Sequence, residues 1–274
     1  MMIYMIIDYC EKNEVTNFRE IRTGNMKKGI IYRGSYPIFK IDKERDRIYN
    51  ELVFDTGINC VINLAGNSSD LQIIADLVPW YNILLKNGNV IGLDIQFEFN
   101  FMDKFEYEVF NYRLREGFDF LITHNGPYLF HCNAGRDRTG FVAAIIELLF
   151  GASIDEVIYN YLLSYGKEFA DSKNEELHFI TGRNIYGQIN AIINGKIENS
   201  QYLQMNIEKY FLENIGLTVN QLDRLKKYYQ TKFITRPTSH NKRLAQGYCW
   251  RSKYKGLTAA RVANLERYVK VGLN

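Results

Sequence analysis

The sequence predicts an α/β fold in which a β-sheet is flanked by helices. Short apolar segments of strand length recur along the first half of the chain, for example Cys60–Leu64 and Tyr128–Phe130. Stretches with the hydrophobic spacing of amphipathic helices separate these segments, most clearly at 42–52 and 102–122. A nearly all-apolar stretch, Phe141–Phe150, follows the last short segment and predicts a buried helix. Alternation of this kind is typical of strands joined by helical crossovers.

The first third of the chain predicts two strands that alternate with two helices. The strands are assigned to Ile30–Tyr32 and Cys60–Leu64 because both segments are compact and apolar. The first helix, 42–52, begins at an aspartate that suits its N-cap. The second helix runs over 68–77 and is stopped by Pro79, since proline cannot continue a helix that precedes it.

Two further apolar runs, Tyr81–Leu85 and Val90–Leu93, lie on either side of Asn87-Gly88. Asn-Gly is a strong signal for a two-residue hairpin turn because both residues tolerate positive φ angles. The sequence therefore predicts a β-hairpin over residues 81–93.

One long helix precedes the last predicted strand. Residues 102–122 place apolar side chains near helical spacing, and Asn125-Gly126-Pro127 ends the helix. The apolar strand and the buried apolar helix come next along the chain. A further helix, 154–165, is expected to be capped by Ser153 or Asp155, because both side chains can accept a hydrogen bond from the first turn.

The segment between the apolar strand and the apolar helix carries the chemistry. It reads His-Cys-Asn-Ala-Gly-Arg-Asp-Arg-Thr-Gly over residues 131–140. In a strand–loop–helix turn, the backbone N–H groups after Cys132, the helix N-terminus and Arg138 form a cradle for a dianion. The same positive surroundings favour the thiolate of Cys132, which makes it a nucleophile. The predicted reaction is transfer of a phosphoryl group to sulfur, followed by hydrolysis.

A simpler interpretation is that Cys132 is a small core residue at the end of a buried strand. The arginine six positions later, the two glycines and the threonine after the arginine favour the nucleophile instead.

This loop resembles the signature of cysteine-dependent phosphatases of the tyrosine and dual-specificity superfamily. Its Asp-Arg-Thr-Gly ending is similar to that of the bacterial tyrosine-phosphatase-like family, whose members act on phosphotyrosine, other phosphoproteins and phosphoinositides. Weaker matches flank the loop, at Asn17-Phe18-Arg19-Glu20, 29–35, 160–164 and 216–218. The resemblance covers about residues 15–230 and implies a cysteine-phosphatase-like sheet with an appended helical subdomain.

The resemblance implies that residues 1–230 form the phosphatase domain. A long helical pattern at about 166–215 predicts a helical elaboration, which is either a lid beside the site or part of the core. Thr218 is expected to cap a final helix that ends at Tyr229. Residues 231–274 are predicted to be a basic C-terminal extension.

The charge of the chain is unevenly distributed. Residues 231–274 contain ten Lys and Arg against the single acid Glu266, whereas the formal net charge of the whole chain is +3. Such a segment is often merely solvated, and this is the favoured interpretation. The alternative is that it grips an anionic partner such as a lipid headgroup, nucleic acid or an acidic protein.

Each residue of the loop has a predicted role. Cys132 attacks phosphorus and forms a phosphocysteine, while Arg138 binds two phosphate oxygens through its planar fork. Thr139 donates its hydroxyl to the thiolate, and His131 holds the base of the loop in shape. The other residues predicted to bind substrate, or a phosphate, sulfate or vanadate ion in its place, are Asn133, Ala134, Gly135 and Arg136.

The general acid is assigned first to Asp137, as the resemblance to relatives with an Asp-Arg-Thr ending implies. Asp94 is the alternative, because many superfamily members supply an aspartate from a loop thirty to forty residues before the cysteine. Asp103 is a weaker candidate, since it is placed to cap the long helix.

Two departures from the family bear on function. The chain reads Asn63-Leu64-Ala65 where the family usually has Asp-Leu-Arg, so any acid or salt-bridge role of that aspartate is absent. Arg136 stands where relatives usually have lysine and keeps a second cation beside the site, which favours substrates with more than one phosphate. The equally weighted alternative is that Arg136 pairs with Asp137 or with solvent.

These observations leave three functions in order of preference. The first is a phosphatase for phosphotyrosine in proteins, and the second is a phosphoinositide or inositol-phosphate phosphatase. The third is a module that binds phosphate groups without turnover.

Composition and residue spacing argue against metalloproteins, disulfide-rich proteins and membrane-spanning proteins. The chain of 274 residues is 46% hydrophobic and 24% charged, which is typical of a globular protein. No cofactor is predicted, and no His/Asp cluster has metal-ligand spacing. The four cysteines show neither zinc-site nor disulfide spacing, so a reduced, cytoplasmic setting is expected, with export by a route that needs no recognisable leader left open. No segment reaches membrane-spanning length.

Overall fold

Five short strands form one sheet in the computed structural model, which describes residues 16–96, 104–166, 185–193 and 202–229. In chain order they are β1 (Arg19–Glu20), β2 (Ile31–Gly34), β3 (Cys60–Asn63), β4 (Val90–Gly92) and β5 (Tyr128–His131). Across the sheet the order is β1-β2-β5-β3-β4. β1 is antiparallel to β2, and all other neighbours are parallel. The predicted α/β fold with a helix-flanked sheet is confirmed.

Helices connect and cover the strands. They are α1 (Lys43–Thr56), α2 (Ser68–Leu77), α3 (Pro79–Lys86), α4 (Lys104–Thr123), α5 (Asp137–Leu149), α6 (Ile154–Leu162), α7 (Leu203–Glu213) and α8 (Val219–Tyr229). A single 3-10 turn, Leu163–Tyr165, follows α6, and residues 185–192 are also helical. All of these elements lie in the first of two units of the chain, Met1–Thr231 and Lys232–Asn274.

The central strand β5 is buried along its whole length between β2 and β3. A parallel strand that is covered on both faces needs apolar side chains in both directions, and Tyr128, Leu129 and Phe130 provide them. β3 and β4 come before β5 in the chain, and β5 is inserted between β2 and β3 in the sheet. The crevice at the carboxyl end of such a strand is where open α/β sheets bind ligands.

Side-chain caps fix where several helices begin. Asn67 and Ser153 each form a reciprocal capping box, with Asp70 and Glu156 respectively. The expected cap at Ser153 is therefore confirmed over Asp155. Asp42 accepts a hydrogen bond from the Arg45 N–H at 2.9 Å, as its position at the start of α1 predicted. The predicted cap at Thr218 is also confirmed, by hydrogen bonds exchanged with Gln221.

The predicted hairpin over residues 81–93 is wrong. Pro79 ends α2 but also begins α3, since its missing N–H costs nothing in a first helical turn. Gly88, with φ of +74°, follows the end of α3 and lets the chain turn. Val90 then pairs with Val61 in a parallel register. The Asn-Gly pair thus serves the exit of a helix, because a helix end needs the same positive φ as a hairpin turn.

α5 begins at Asp137, four residues before the expected Phe141. The phosphate-loop sequence itself therefore supplies the first turn of this helix. Buried apolar side chains surround most of α5, in agreement with its uniformly apolar sequence.

The predicted helical elaboration at 166–215 lies partly outside the described residues. Within it, α7 buries Ile207, Tyr210 and Phe211. Gln204 donates a hydrogen bond to the Leu149 carbonyl at 3.0 Å, and the Tyr210 hydroxyl donates to Asn111 at 2.7 Å. α7 therefore packs on the core near the C-terminal end of α5, which is the end away from the loop.

Two other expectations concern residues beyond this part of the chain. The basic extension 231–274 and Asp103 lie outside the described residues. Among the helices that are described, none is both long and apolar enough to cross a bilayer.

Candidate active site

Cys132 lies directly after β5, at the base of the loop that leads into α5. Its side chain is a free thiol and is only 3% exposed. The neighbouring strands end at the same edge of the sheet, since Gly34 pairs with His131 on one side and Asn63 pairs with it on the other. The predicted nucleophile is therefore placed at the carboxyl end of the central strand.

Three consecutive loop carbonyls are tied to groups outside the loop. The Asn133 carbonyl accepts from the Tyr36 N–H at 2.8 Å, and the Ala134 carbonyl accepts from the Asn17 side-chain amide at 3.0 Å. The Gly135 carbonyl accepts from Asn17 at 3.1 Å and from the Arg33 guanidinium at 2.9 Å.

These bonds determine where the loop N–H groups point. In a trans peptide the C=O and the following N–H point in opposite directions across one plane. Holding the carbonyls of residues 133–135 outward therefore turns the N–H groups of residues 134–136 toward the concave side of the loop. A row of such N–H groups next to a helix N-terminus binds oxyanions.

Gly135 is required by both its backbone angle and its neighbours. Its φ is +69°, a region that side-chain-bearing residues rarely adopt. A Cβ atom there would lie 2.5 Å from the Gly34 carbonyl oxygen and 2.8 Å from the Ser35 nitrogen. The loop therefore packs backbone to backbone against the end of β2.

Arg138 belongs to the first turn of α5 and is half-buried. Its Nη1 atom lies 3.4 Å from the Ile95 carbonyl oxygen, in the segment that follows β4. The predicted phosphate-binding guanidinium is thus held between the loop helix and the β4 side of the site.

His131 is fully buried, and burial lowers its pKa to about 4. Its ring is neutral at physiological pH and meets the rings of Tyr36 and Tyr81 edge-on, each with centroids 6.1 Å apart. The nearest polar contact of Nδ1 is the Cys132 carbonyl at 3.4 Å, and Nε2 has no hydrogen-bond partner in the described part of the chain. A packing role at the loop base agrees with this environment.

The two leading candidates for the general acid lie on different sides of Arg138. Asp137 is exposed at the start of α5, and the Tyr161 hydroxyl is 3.5 Å from its Oδ1 atom. Asp94 is half-buried, has a positive φ of +43° and directly precedes Ile95, the residue that Arg138 contacts. Both carboxylates therefore belong to segments that border the site.

Asn63, at the position where the family resemblance led us to expect an aspartate, organises the turn after β3. Its Oδ1 atom accepts hydrogen bonds from the Ala65 and Gly66 N–H groups at 3.0 and 3.1 Å. The Gly66 carbonyl in turn accepts from the Asp94 N–H at 3.2 Å. An uncharged amide thus shapes the turn against which the Asp94 segment is held.

Thr139 and Arg136 have less defined partners. The Thr139 side chain is fully buried, and its hydroxyl has no hydrogen-bond partner among the residues described. Its predicted hydrogen bond to the thiolate stays a prediction. The Arg136 guanidinium stacks over the Tyr165 ring, 5.1 Å from its centroid, and is half-buried.

A polar cluster beneath the loop, half of whose members are buried and half of which are half-buried, was missed in the sequence interpretation. It consists of Asn17, Arg19, Arg33, Glu147, Asn160 and Ser164. Arg19 donates to Asn17, to Asn160 and to the Ser164 hydroxyl, and Asn160 donates to Glu147. The available signal was a glutamate inside the otherwise apolar stretch of α5, which needs polar partners when it is buried.

Glu147 is only 1% exposed, and burial raises its pKa to about 7 although Asn160 and Arg33 oppose the shift. Arg33 is also 1% exposed, and burial lowers its pKa to about 10, so it stays protonated at neutral pH. The cluster therefore keeps positive charge under the loop.

Other reactive groups lie elsewhere. The second described cysteine, Cys60, starts β3 at the opposite edge of the sheet, and burial raises its pKa to about 11. Across residues 16–96, 104–166, 185–193 and 202–229, no three His, Cys, Asp or Glu side chains are grouped as metal ligands. Binding of a tetrahedral oxyanion by the loop N–H groups and Arg138, above the Cys132 sulfur, stays a prediction for this site.

Comparison with known families agrees with this chemistry. Residues 99–231, slightly less than half of the chain, match the tyrosine phosphatase family. The resemblance to cysteine-dependent tyrosine phosphatases is thereby confirmed for the part of the chain that includes the loop. Asn17, Arg33 and Asp94 precede the matched part.

Two individual relatives align with this chain over only part of their own length. A protein of Cupriavidus necator named as a tyrosine-protein phosphatase is 45% identical over 69 residues, which are 23% of this chain and 25% of that protein. A tyrosine-protein phosphatase of Nostoc commune is 26% identical over 113 residues, or 37% of this chain and 38% of the relative. The chain therefore aligns with well under half of either relative.

Among solved structures, one similar chain is the core catalytic domain of the PP-IP phosphatase Siw14 from S. cerevisiae, in complex with citrate. It is 19% identical, with 65% of this chain and 93% of that chain covered and a TM-score of 0.35.

Proposed function

Because residues 99–231 match the tyrosine phosphatase family, we propose that this chain is a cysteine-dependent phosphatase acting on phosphate monoesters, with phosphotyrosine in proteins as the first candidate substrate. One observation carries the proposal. The carbonyls of residues 133–135 are held outward, so the N–H groups beside Cys132 face the position where a phosphate would lie.

The first chemical step forms a phosphorus–sulfur bond while the ester P–O bond breaks. Cys132 supplies the electron pair, and Arg138 with the loop N–H groups stabilises the negative charge on the non-bridging oxygens. The leaving oxygen takes a proton from the general acid and departs as an alcohol or phenol. Water then attacks the phosphocysteine, which releases inorganic phosphate and restores the thiolate.

Asp137 is proposed as the general acid, with Asp94 as the alternative. The pH–rate profiles of Asp137→Asn and Asp94→Asn separate the two, measured with esters of poor leaving groups. Loss of the acid removes the basic limb of the profile, because the remaining reaction no longer depends on a protonated carboxyl. The variant that keeps the basic limb is not the acid.

The direct test uses the reduced protein and an aryl phosphate. The unmutated chain is expected to release phosphate, vanadate to inhibit it, and Cys132→Ser to abolish turnover. Cys60→Ser is the matched control, because Cys60 is equally buried but starts β3 at the far edge of the sheet. Phosphate release that survives in Cys132→Ser, or that vanishes only in Cys60→Ser, contradicts the proposal.

A phosphoinositide or inositol phosphate is the second candidate substrate. The observation that favours it is Arg136, a half-buried cation two residues before Arg138 that stacks on Tyr165 and leaves its Nε without a partner in the described residues. A second guanidinium suits a second phosphate group. Turnover of phosphopeptides and of phosphoinositides, measured for the unmutated chain and for Arg136→Gln, decides between the two candidate substrates. If Arg136 binds a second phosphate group, Arg136→Gln is expected to lower turnover only of the multiply phosphorylated substrate.

Binding without turnover is the remaining alternative. A stable complex with phospholigand in the unmutated protein, with no phosphate released, would support it. The paired cysteine and arginine argue for turnover, as a binding module does not need a buried thiol. A reducing, cytoplasmic compartment suits this chemistry because the nucleophile acts only as a thiol or thiolate.

A further inference from the structure

Arg33 is the most enclosed cation beneath the loop. It lies in β2 with 1% of its side chain exposed. Its Nη2 atom donates to the Gly135 carbonyl at 2.9 Å and to the Ser164 hydroxyl at 3.0 Å, while its Nε has no partner in the described part of the chain. A buried guanidinium with an unsatisfied N–H is costly, so its retention calls for an explanation.

The bond to Gly135 has a directional effect on the anion site. The Gly135 carbonyl and the Arg136 N–H belong to one planar trans peptide and point opposite ways. A donor that fixes this carbonyl below the loop therefore fixes the Arg136 N–H above it. Asn17 holds the same carbonyl from another direction at 3.1 Å, so the peptide is restrained twice.

The cluster also sets charge under the loop. Arg19 and Arg33 both donate to the Ser164 hydroxyl, at 2.7 and 3.0 Å, which keeps two like charges near each other. The Glu147 carboxylate raises the pKa of both guanidinium groups, against the lowering that burial causes. Two cations around one acid leave an excess of positive charge close to where a bound dianion would sit.

We propose that Arg33 is a positioning residue of the anion site: it aims the Arg136 N–H at a bound phosphate and adds positive charge from below, without touching the phosphate. The inference rests on the proposed function, since it needs the loop to bind a phosphate group. It adds a part of the site that precedes the family match and that the loop sequence does not contain.

The test measures binding of inorganic phosphate by calorimetry in the full chain carrying Cys132→Ser, so that no turnover intervenes. Arg33→Gln, which removes the charge, is expected to weaken phosphate binding about tenfold or more. Arg33→Lys, which keeps the charge but loses the fork, is expected to recover a substantial part of that loss. Arg113→Gln is the control, because it removes the same charge from a half-buried pair with Glu116 on α4.

A purely structural role predicts a different pattern. Losses in Arg33→Gln and Arg33→Lys would then follow their melting temperatures, with no rescue by lysine. Equal phosphate affinity in folded Arg33→Gln and its parent, within twofold, overturns the inference. If Arg33→Gln does not fold, Arg33→Met replaces it, since methionine keeps a long side chain but removes the charge and both hydrogen bonds; a loss of about tenfold is again expected, and an affinity within twofold of the parent overturns the inference.

The outcome is separable from that of the proposed function. Phosphate binding by the unmutated chain without hydrolysis of an aryl phosphate contradicts the proposed catalysis and leaves the role of Arg33 intact. Hydrolysis of an aryl phosphate by the unmutated chain, together with an unaltered phosphate affinity when Arg33→Gln is added to Cys132→Ser, supports the proposed catalysis and overturns the role of Arg33.

Discussion

Arg138 is the residue whose chemistry depends most on shape as well as charge. Its guanidinium presents paired N–H groups in one plane, which a lysine ammonium cannot reproduce. Arg138→Lys is therefore expected to lower kcat/KM for an aryl phosphate about 100-fold or more, as removal of one transition-state donor does in other enzymes. Arg113→Lys, at a half-buried position of α4, serves as the comparison. A loss smaller than about threefold in Arg138→Lys would contradict bidentate phosphate binding.

Glu147 links the polar cluster to pH. Its folded-state pKa of about 7 lies above the ordinary 4.5, so between these values the folded chain keeps a proton that the unfolded chain has released. The free energy of unfolding, relative to that of Glu147→Gln, should therefore fall by about 1–3 kcal/mol as the pH rises from 4.5 to 7. It should stay constant above pH 7. Urea unfolding of both proteins at several pH values measures this difference. A difference that does not vary with pH would show that the pKa of the Glu147 carboxyl is not raised.

His131 acts in the opposite direction over nearly the same range. Its folded-state pKa of about 4 lies below the ordinary 6.5, so the unfolded chain binds more protons between these values. Stability relative to His131→Asn should rise as the pH increases from 4 to 6.5 and be constant at higher pH. The wild-type curve alone mixes both groups, so only the difference between wild type and each variant isolates one of them. A difference that does not change over this range would mean that burial does not lower the pKa of His131.

At the scale of elements, Gly140 joins the loop helix to α6. A Cβ atom there would come within 2.7 and 2.8 Å of the Tyr161 ring, and Tyr161 is buried. Gly140→Ala must therefore separate α5 from α6 or displace that ring. We expect it to lower the free energy of unfolding by about 1–3 kcal/mol, in the range of overpacked cores, and to reduce phosphatase activity.

Gly187 offers the matched comparison for this substitution. It is an exposed helical glycine, and a Cβ atom there meets nothing within 4 Å. Gly187→Ala should stabilise the protein slightly, by up to about 1 kcal/mol, because alanine is the better helix former. Thermal unfolding of the two variants gives the answer, and equal effects would mean that propensity rather than contact with Tyr161 governs position 140.

Elements were predictable where local signals were unambiguous. The buried strands and the apolar part of α5 follow from hydrophobic pattern alone, whereas side-chain chemistry narrowed the cap of α6 to Ser153 or Asp155 and the structure selected Ser153. The segment 81–93 was not predictable, because Asn-Gly suits both a hairpin and the end of a helix. Only the tertiary pairing of Val90 with Val61 selects between these two outcomes.

At the scale of the whole molecule, the loop was predictable but its support was not. Cys132, Arg138 and Gly135 are neighbours in sequence, so one motif contains them. Asn17 and Arg33 reach the loop from residues 117 and 102 positions away, and nothing local to either position indicates that contact. Strand order brings them together, since β2 lies beside β5 although β3 and β4 come between them in the chain.

The C-terminal segment provides a prediction at this scale. The described residues of the site all belong to the unit Met1–Thr231, and the basic segment belongs to the other unit. Removing residues 236–274 should therefore leave kcat/KM for a soluble aryl phosphate within about twofold, because the phosphate-binding groups are untouched. Binding of both forms to anionic vesicles and to nucleic acid is measured alongside. A large loss of turnover would place part of the tail in the catalytic unit.

The polar cluster under the loop also affects how the protein unfolds. Arg19, Arg33, Glu147 and Asn160 come from β1, β2, α5 and α6, so the loop cannot relax without breaking contacts among four elements. The amides that are hydrogen-bonded to loop carbonyls, those of Tyr36 and Gly140, should exchange with deuterium about as slowly as those of the central strand, through global opening. On heating, catalysis and near-ultraviolet ellipticity should then vanish together.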